Sequence, residues 1–180
     1  MNDRFLPRVQ FCQPFLHGKF CSAKVFVLLV EYVSFMVKSS VQFGYADRSL
    51  PLKHKRVVRQ FIIDLVRKES GRDCKLQYVF CSDEYLYGLN VSFLGHHDYT
   101  DIITFDLSKD KVGQIEGEIY ISIDRVKDNS VIHGTFFRSE LLRVIFHGAL
   151  HLCGFKDKTK AAKAIMRAKE DEYLSLFDHV

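Results

Sequence analysis

Tryptophan is absent from this chain of 180 residues, proline occurs three times and glycine ten times, and no stretch rich in Pro, Gly or Ser separates one half from the other. Collagen-like and low-complexity architectures are thereby excluded, and nothing resembles a linker between two domains. Cysteine is sparse as well. Cys12, Cys21, Cys74, Cys81 and Cys153 are odd in number and contain no Cys-x-x-Cys pair, which excludes a disulfide framework and points to reduced thiols in the cytoplasm. Long apolar runs are also missing. Val25 to Val30 follows Arg4, Arg8, Lys19 and Lys24 like the start of a signal peptide, but Glu31 interrupts it. Even counted through Val37 the stretch falls short of the roughly 20 residues that span a bilayer, and no small-residue cleavage site follows, so no membrane association is expected. Finally, no strong charge of one sign is present. With 26 Lys and Arg against 22 Asp and Glu, the net charge of +4 permits a polyanionic partner without requiring one.

Apolar content is ample: hydrophobic residues make up 47% of the chain, enough to bury a core. Residues 1–35 read differently from the rest. Either Met36 is the true start and the upstream residues are an extension without selected structure, or they form a tail or an added amphipathic segment. Residues 36–180 are expected to be the working domain.

The chemistry is concentrated in Phe146-His147-Gly148-Ala149-Leu150-His151-Leu152-Cys153-Gly154-Phe155-Lys156-Asp157. Four helical residues turn through about 400°, so His147 and His151 project from one face and can share a divalent ion. Gly154 can stop the helix, and the chain can then bend back to bring Asp157 to the same point. Two nitrogens and one oxygen suit a borderline-soft cation, and a fourth position open to water or substrate marks catalysis over structure. Histidines at i and i+4 also arise by chance on amphipathic helices. Here, however, Glu140 to Phe146 is helix-forming and largely apolar, so unpaired imbedded imidazoles would be costly and a shared metal removes that cost. Gly148 inside the helix suggests a close approach to the backbone beside His147. Cys153 should point away from the histidine face and reads as a packing residue, with metal ligation a minor alternative.

The zinc proteases carry a similar motif, His-Glu-x-x-His, whose Glu is the general base. In this chain that Glu is replaced by Gly148, which argues against peptide hydrolysis by the usual route. A substrate with its own nucleophile suits what remains. RNA qualifies through its 2′-hydroxyl, although an activated water could also attack the phosphorus, and the residues do not choose between the two.

Periodicity predicts an alternation of helices and strands: a helix from Leu52 to Glu69 with Pro51 in its first turn and Gly71 at its stop, then a strand from Leu76 to Cys81. A helix opening at Ser82-Asp83-Glu84 should run to about Phe93, with a serine cap and early acids complementing its dipole. Strands are expected at Ile102 to Asp106 and Ile115 to Asp124, the second with Ile119, Ile121 and Ile123 on one face. The histidine helix follows near Thr135 to Leu152, and an amphipathic helix from Lys160 to Phe177 completes an α+β domain with one small mixed sheet.

The segment His-Gly-x-Leu-His-Leu-x-Gly-aromatic, with its preceding Glu-Leu helix and the upstream Tyr99-Thr100-Asp101-Ile102-Ile103-Thr104-Phe105, resembles the bacterial YbeY family over roughly Val41 to Phe177. The resemblance implies an α+β fold and a single-strand-specific, metal-dependent endoribonuclease acting in 16S rRNA 3′-end maturation and ribosome quality control. It implies one zinc per chain, held by His147, His151 and Asp157. Expected partners are ribosomal RNA and the small ribosomal subunit, with ribosomal proteins or assembly GTPases besides. Two departures stand out. The family usually continues Asp-His after the aromatic, whereas this chain reads Lys156-Asp157, so Asp157 takes the place of a histidine. Many relatives also place an arginine in the cleft where this chain has Leu94. Other readings are a non-catalytic ribosome assembly factor with a structural zinc, and a metal hydrolase of another ester or amide.

Several further residues carry two readings each. Thr100 and Asp101 match the family segment that lines the cleft, so they orient substrate or ligands, or else cap a turn. Arg143, one turn before His147, either reaches a phosphate bound at the metal or solvates the helix surface, with the solvated surface favoured. His96-His97-Asp98 reads as a solvated turn before a metal cluster. Lys53, His54, Lys55, Arg56 and Arg59 form either a contact for ribosomal RNA or an ordinary charged helix face.

Overall fold

The computed structural model describes residues 39–50 and 52–179. The expectations for residues 1–35, for a start at Met36 and for Pro51 fall outside them. The elements in chain order are β1 (Ser40–Tyr45), α1 (Lys55–Ser70), β2 (Cys74–Cys81), α2 (Asp83–Leu89) with a π-helical turn (Asn90–Leu94), β3 (Ile102–Asp106), β4 (Ile115–Ser122), α3 (Ile123–Ile132), α4 (Phe137–Leu152) and α5 (Lys160–Phe177). The four strands form one sheet in the order β1-β2-β4-β3. β1, β2 and β4 run parallel and β3 pairs antiparallel with β4, giving the mixed sheet of an α+β domain. No helix among the described residues is long and apolar enough to cross a membrane.

One face of the sheet carries the core. Tyr78 on β2 pairs with Ile119 on β4, which pairs with Thr104 on β3, so these side chains share a face. Leu76, Tyr78, Phe80, Ile115, Ile119 and Ile121 are buried there, with Val58, Ile62 and Leu65 of α1, Leu141, Ile145 and Phe146 of α4, and Tyr173 and Phe177 of α5 in the same cluster. The Tyr78 hydroxyl, fully buried, donates to the Ile145 carbonyl at 3.0 Å and ties α4 to the sheet. Gly148 is what lets α4 lie so close. A Cβ there would stand 2.8 Å from Ile119 Cγ2 and 2.9 Å from Ile102 Cδ1. The close approach expected beside His147 is therefore made by the sheet.

Local signals placed most boundaries correctly. Ser82 caps α2 by accepting from the Tyr85 amide, and Gly71, at φ 69°, closes α1. The differences have physical causes. α1 starts three residues later than expected because His54 sits in the left-handed region at φ 54°. The helix expected to reach Phe93 passes at Asn90 into the π turn, which ends at Gly95 with φ 65°. The strand expected to reach Asp124 ends at Ser122, whose Oγ accepts from the Arg125 amide at 3.0 Å and starts α3. Ile123 thus belongs to a helix that the alternation of Ile119, Ile121 and Ile123 had concealed. β1, a short strand at the sheet edge, was also not anticipated.

Candidate metal centre

His147 and His151 project from the same face of α4, one turn apart, with ring centroids 4.4 Å apart and ring planes nearly perpendicular. The helix stops as the glycine suggested. Gly154 adopts φ 99°, its amide donates to the His151 carbonyl at 2.9 Å and the Phe155 amide to the Leu150 carbonyl at 3.1 Å, a turn that reverses the chain. Asp157 then returns to the histidines, its Oδ2 lying 3.9 Å from His147 Nε2 and 3.7 Å from His151 Nε2. One ligand atom from each of the three residues lies within 4.8 Å of the others. Bonds of about 2.1 Å to a tetrahedral ion would set ligands roughly 3.4 Å apart, so the two Asp157 contacts need to close by only some tenths of an ångström, and no pair by more than about 1.4 Å.

The opposite ring nitrogens decide what these imidazoles offer. His151 Nδ1 lies 2.9 Å from the Phe155 carbonyl, which can only accept. Nδ1 therefore carries the proton and Nε2 presents a lone pair towards Asp157. Burial, followed by the neighbouring His147, holds the His151 pKa below its ordinary value, which favours this neutral form. His147 Nδ1 lies 2.8 Å from Glu170 Oε1 on α5, an arrangement that again turns Nε2 to the shared point.

Glu170 is buried and also ion-paired with Arg143 at 3.1 Å and Arg167 at 3.4 Å. Burial opposes its ionisation, but the hydrogen bonds from His147 and Arg143 and their charges outweigh it and hold the pKa below the usual carboxylate value. The residue escaped the sequence reading, although a signal existed. It lies among Met166, Tyr173, Leu174 and Phe177 on the buried stripe of α5, where an acid needs a partner.

The three residues open into a cleft of roughly 740 Å³. Thr100 and Asp101 line it, as does the unexpected neighbour Asn90. Thr100 Oγ1 donates to the Ile102 carbonyl at 3.2 Å. The Asp101 carboxylate accepts from Asn129 Nδ2 on α3 at 3.2 Å, while the Asp101 carbonyl accepts from the Ser122 amide. Burial raises the Asp101 pKa.

Arg143 is not a solvated surface residue. Its side chain is 14% exposed and its Nη1 lies 3.1 Å from Glu170 and 2.6 Å from Asp171, so its position is set by α5. His96 lines the cleft and His97 does not, and neither joins the ligand group. Cys153 is likewise outside that group, and burial pushes its thiol up to about 12. Leu94 is exposed and lines the cleft wall. The basic cluster of α1 lies elsewhere: none of its residues lines the cleft, and two of them lie over aromatic rings, Lys55 over Tyr45 and Arg59 over Phe43.

Comparison with known proteins finds relatives over most of the described residues. The family model described as endoribonuclease YbeY matches residues 43–178. The protein named endoribonuclease YbeY from Cytophaga hutchinsonii is 48% identical over 141 residues, covering 78% of this chain and 98% of that protein. Its namesake from Christiangramia forsetii is 39% identical over 142 residues, covering 79% and 97% respectively. Among solved structures, the solution structure of a Thermotoga maritima protein superposes with a TM-score of 0.52 at 27% identity, over 76% of this chain and 88% of the other.

Proposed function

Because this chain belongs to the endoribonuclease YbeY family, we propose that it is a zinc-dependent endoribonuclease of single-stranded RNA, acting in 16S rRNA 3′-end maturation and ribosome quality control. The observation that carries the reading is the convergence of His147, His151 and Asp157 at one wall of an open cleft, with both histidine Nδ1 atoms engaged so that the Nε2 atoms face the third ligand. Two imidazoles and a carboxylate suit zinc better than magnesium or calcium, which prefer oxygen. When bound there, zinc supplies Lewis-acid stabilisation of charge developing on a phosphoryl group.

The chain's own residues do the rest. Glu170 holds the His147 ring, and Arg143 holds Glu170. Asp101, kept in place by Asn129, faces the same cleft with its pKa raised by burial, so its carboxylate is suited to take or hold a proton near the reacting phosphate. Thr100, fixed against the Ile102 carbonyl, forms part of the wall along which the strand is oriented. Gly148 leaves no room for the protease glutamate, since even a Cβ would press on Ile119 and Ile102. A substrate bearing its own 2′-hydroxyl nucleophile suits a site without that base. Ribosomal RNA in the small subunit is the proposed partner and the cytoplasm the proposed compartment.

A second reading, a non-catalytic assembly factor with a structural zinc, draws on Leu94, an exposed apolar side chain on the cleft wall. Zinc-verified protein on a defined single-stranded RNA separates the two. Cleavage that is lost in His147→Ala and His151→Ala supports the enzyme. Binding without cleavage by wild type supports the assembly factor. The termini of the products, a 2′,3′-cyclic phosphate or a 5′-phosphate, identify the nucleophile.

A further inference from the structure

The cleft is poor in the charge that a polyanion needs. Asp98, Asp101, Asp106 and Asp157 line it, and Lys158 is the single Lys or Arg among the described lining residues. Lys158 immediately follows the ligand Asp157 and is exposed, with no ion pair among the described residues. It opens a series. Lys160 and Lys163 follow on the first turn of α5, both exposed and likewise without ion pairs among the described residues, unlike Lys68 and Lys169, which are held by Glu172.

Helical spacing places this series on the side of the metal centre. Lys160, Lys163 and Arg167 stand at i, i+3 and i+7 of α5 and therefore share a face. Arg167 lines a small polar cavity together with His147, Asp157 and Asp101, so this face of α5 borders the ligand group. Basic residues also follow the cleft residue Asp106, since Lys109 and Lys111 lie on the β3–β4 loop. There, however, they alternate with Asp106 and Asp110.

We infer that Lys158, Lys160 and Lys163 form the phosphate-binding track of this protein, so that single-stranded RNA leaves the metal centre across the start of α5 and not across the β3–β4 loop. The inference rests on the proposed ribonuclease reading and adds to it a path and three contacts. Neutralising phosphates releases counterions, and for single strands each contact contributes about 0.7 to the slope of log K against log salt concentration.

The test is fluorescence anisotropy of a labelled single-stranded RNA with zinc-loaded wild type, K158A/K160A/K163A, and K109A/K111A as a control for lost charge elsewhere, across a salt series. The triple variant should bind more weakly at low salt, with a slope shallower by about 2, and in cleavage assays it should raise KM while leaving kcat near wild type. K109A/K111A should keep the wild-type slope. A triple variant with wild-type slope and KM, beside an active wild type, overturns the track alone. An equal loss in the control variant also overturns it, since the effect would then be general charge. A wild type that neither binds nor cleaves the RNA overturns the ribonuclease reading together with the track. All three lysines are exposed, and circular dichroism and zinc content of the triple variant should match wild type.

Discussion

Replacing Glu170 tests the centre at the point where the fold, more than the motif, controls it. In the wild type this carboxylate accepts from His147 Nδ1 at 2.8 Å and from Arg143 at 3.1 Å, and its side chain is 8% exposed. Glu170→Gln keeps the volume and one acceptor oxygen but removes the charge and puts an amide where a carboxylate oxygen stood. Loss of a carboxylate behind a ligating histidine typically costs 10- to 100-fold in metal affinity, or about 1.4–2.8 kcal/mol. Glu170→Ala also leaves Arg143, 14% exposed, with Asp171 as its remaining carboxylate partner. Because Asp171 still compensates that charge, the cost stays below the about 3–5 kcal/mol of a buried charge left without a partner, and at about 2 kcal/mol it lowers Tm by roughly 4–8 °C in a domain of this size. Competition with a chromophoric chelator gives the zinc affinity, and thermal unfolding of metal-free protein gives the second quantity. The expected pattern is weaker zinc in both variants and a drop in metal-free stability in the alanine variant above all. Wild-type zinc affinity in Glu170→Gln would refute the claim that this carboxylate fixes the ligand ring.

Other outcomes follow from the same geometry. Purified protein should carry close to one zinc per chain; Asp157→Ala should lose it to a chelator at concentrations that leave wild type loaded, while Asp157→His should retain it, and an alanine variant with unchanged affinity would remove Asp157 from the ligand set. At Asp73 the hydrogen bond from the Ser39 hydroxyl, opposed by burial and reinforced by Arg67, holds the carboxyl below its ordinary value. A depressed folded-state pKa stabilises above the unfolded value of about 3.9 and loses that contribution as pH falls through the folded one, so Asp73→Asn should be less stable than wild type at pH 7 and the gap should narrow below about pH 4 in urea titrations. A chain beginning at Met36 should unfold at the same temperature and bind the same zinc as the full chain, because the family match lies within residues 43–178; a loss of several degrees would make residues 1–35 part of the domain.

What the sequence determined by itself was everything carried by spacing along the chain. His147 and His151 share a face because four residues make one helical turn, and Gly154 with Asp157 closes the group within one local turn. The bounds of β3 and α5 were likewise legible, since alternation and helical periodicity are local quantities. Where two local signals competed, the reading failed. The alternation of Ile119, Ile121 and Ile123 ran across a boundary that the Ser122 hydroxyl decides, and α3 was lost with it. Tertiary structure alone decided which element covers each face. Periodicity shows that α5 has a buried stripe but not that Glu170 on it meets His147, 23 residues away, or that Arg143 is enclosed by α5 and not solvated. Nor does it show that Asn129 holds Asp101 or that the sheet is what requires Gly148. These partners are brought together by the burial of apolar faces, a non-directional force whose pairings depend on the whole chain, and no spacing within a segment records them.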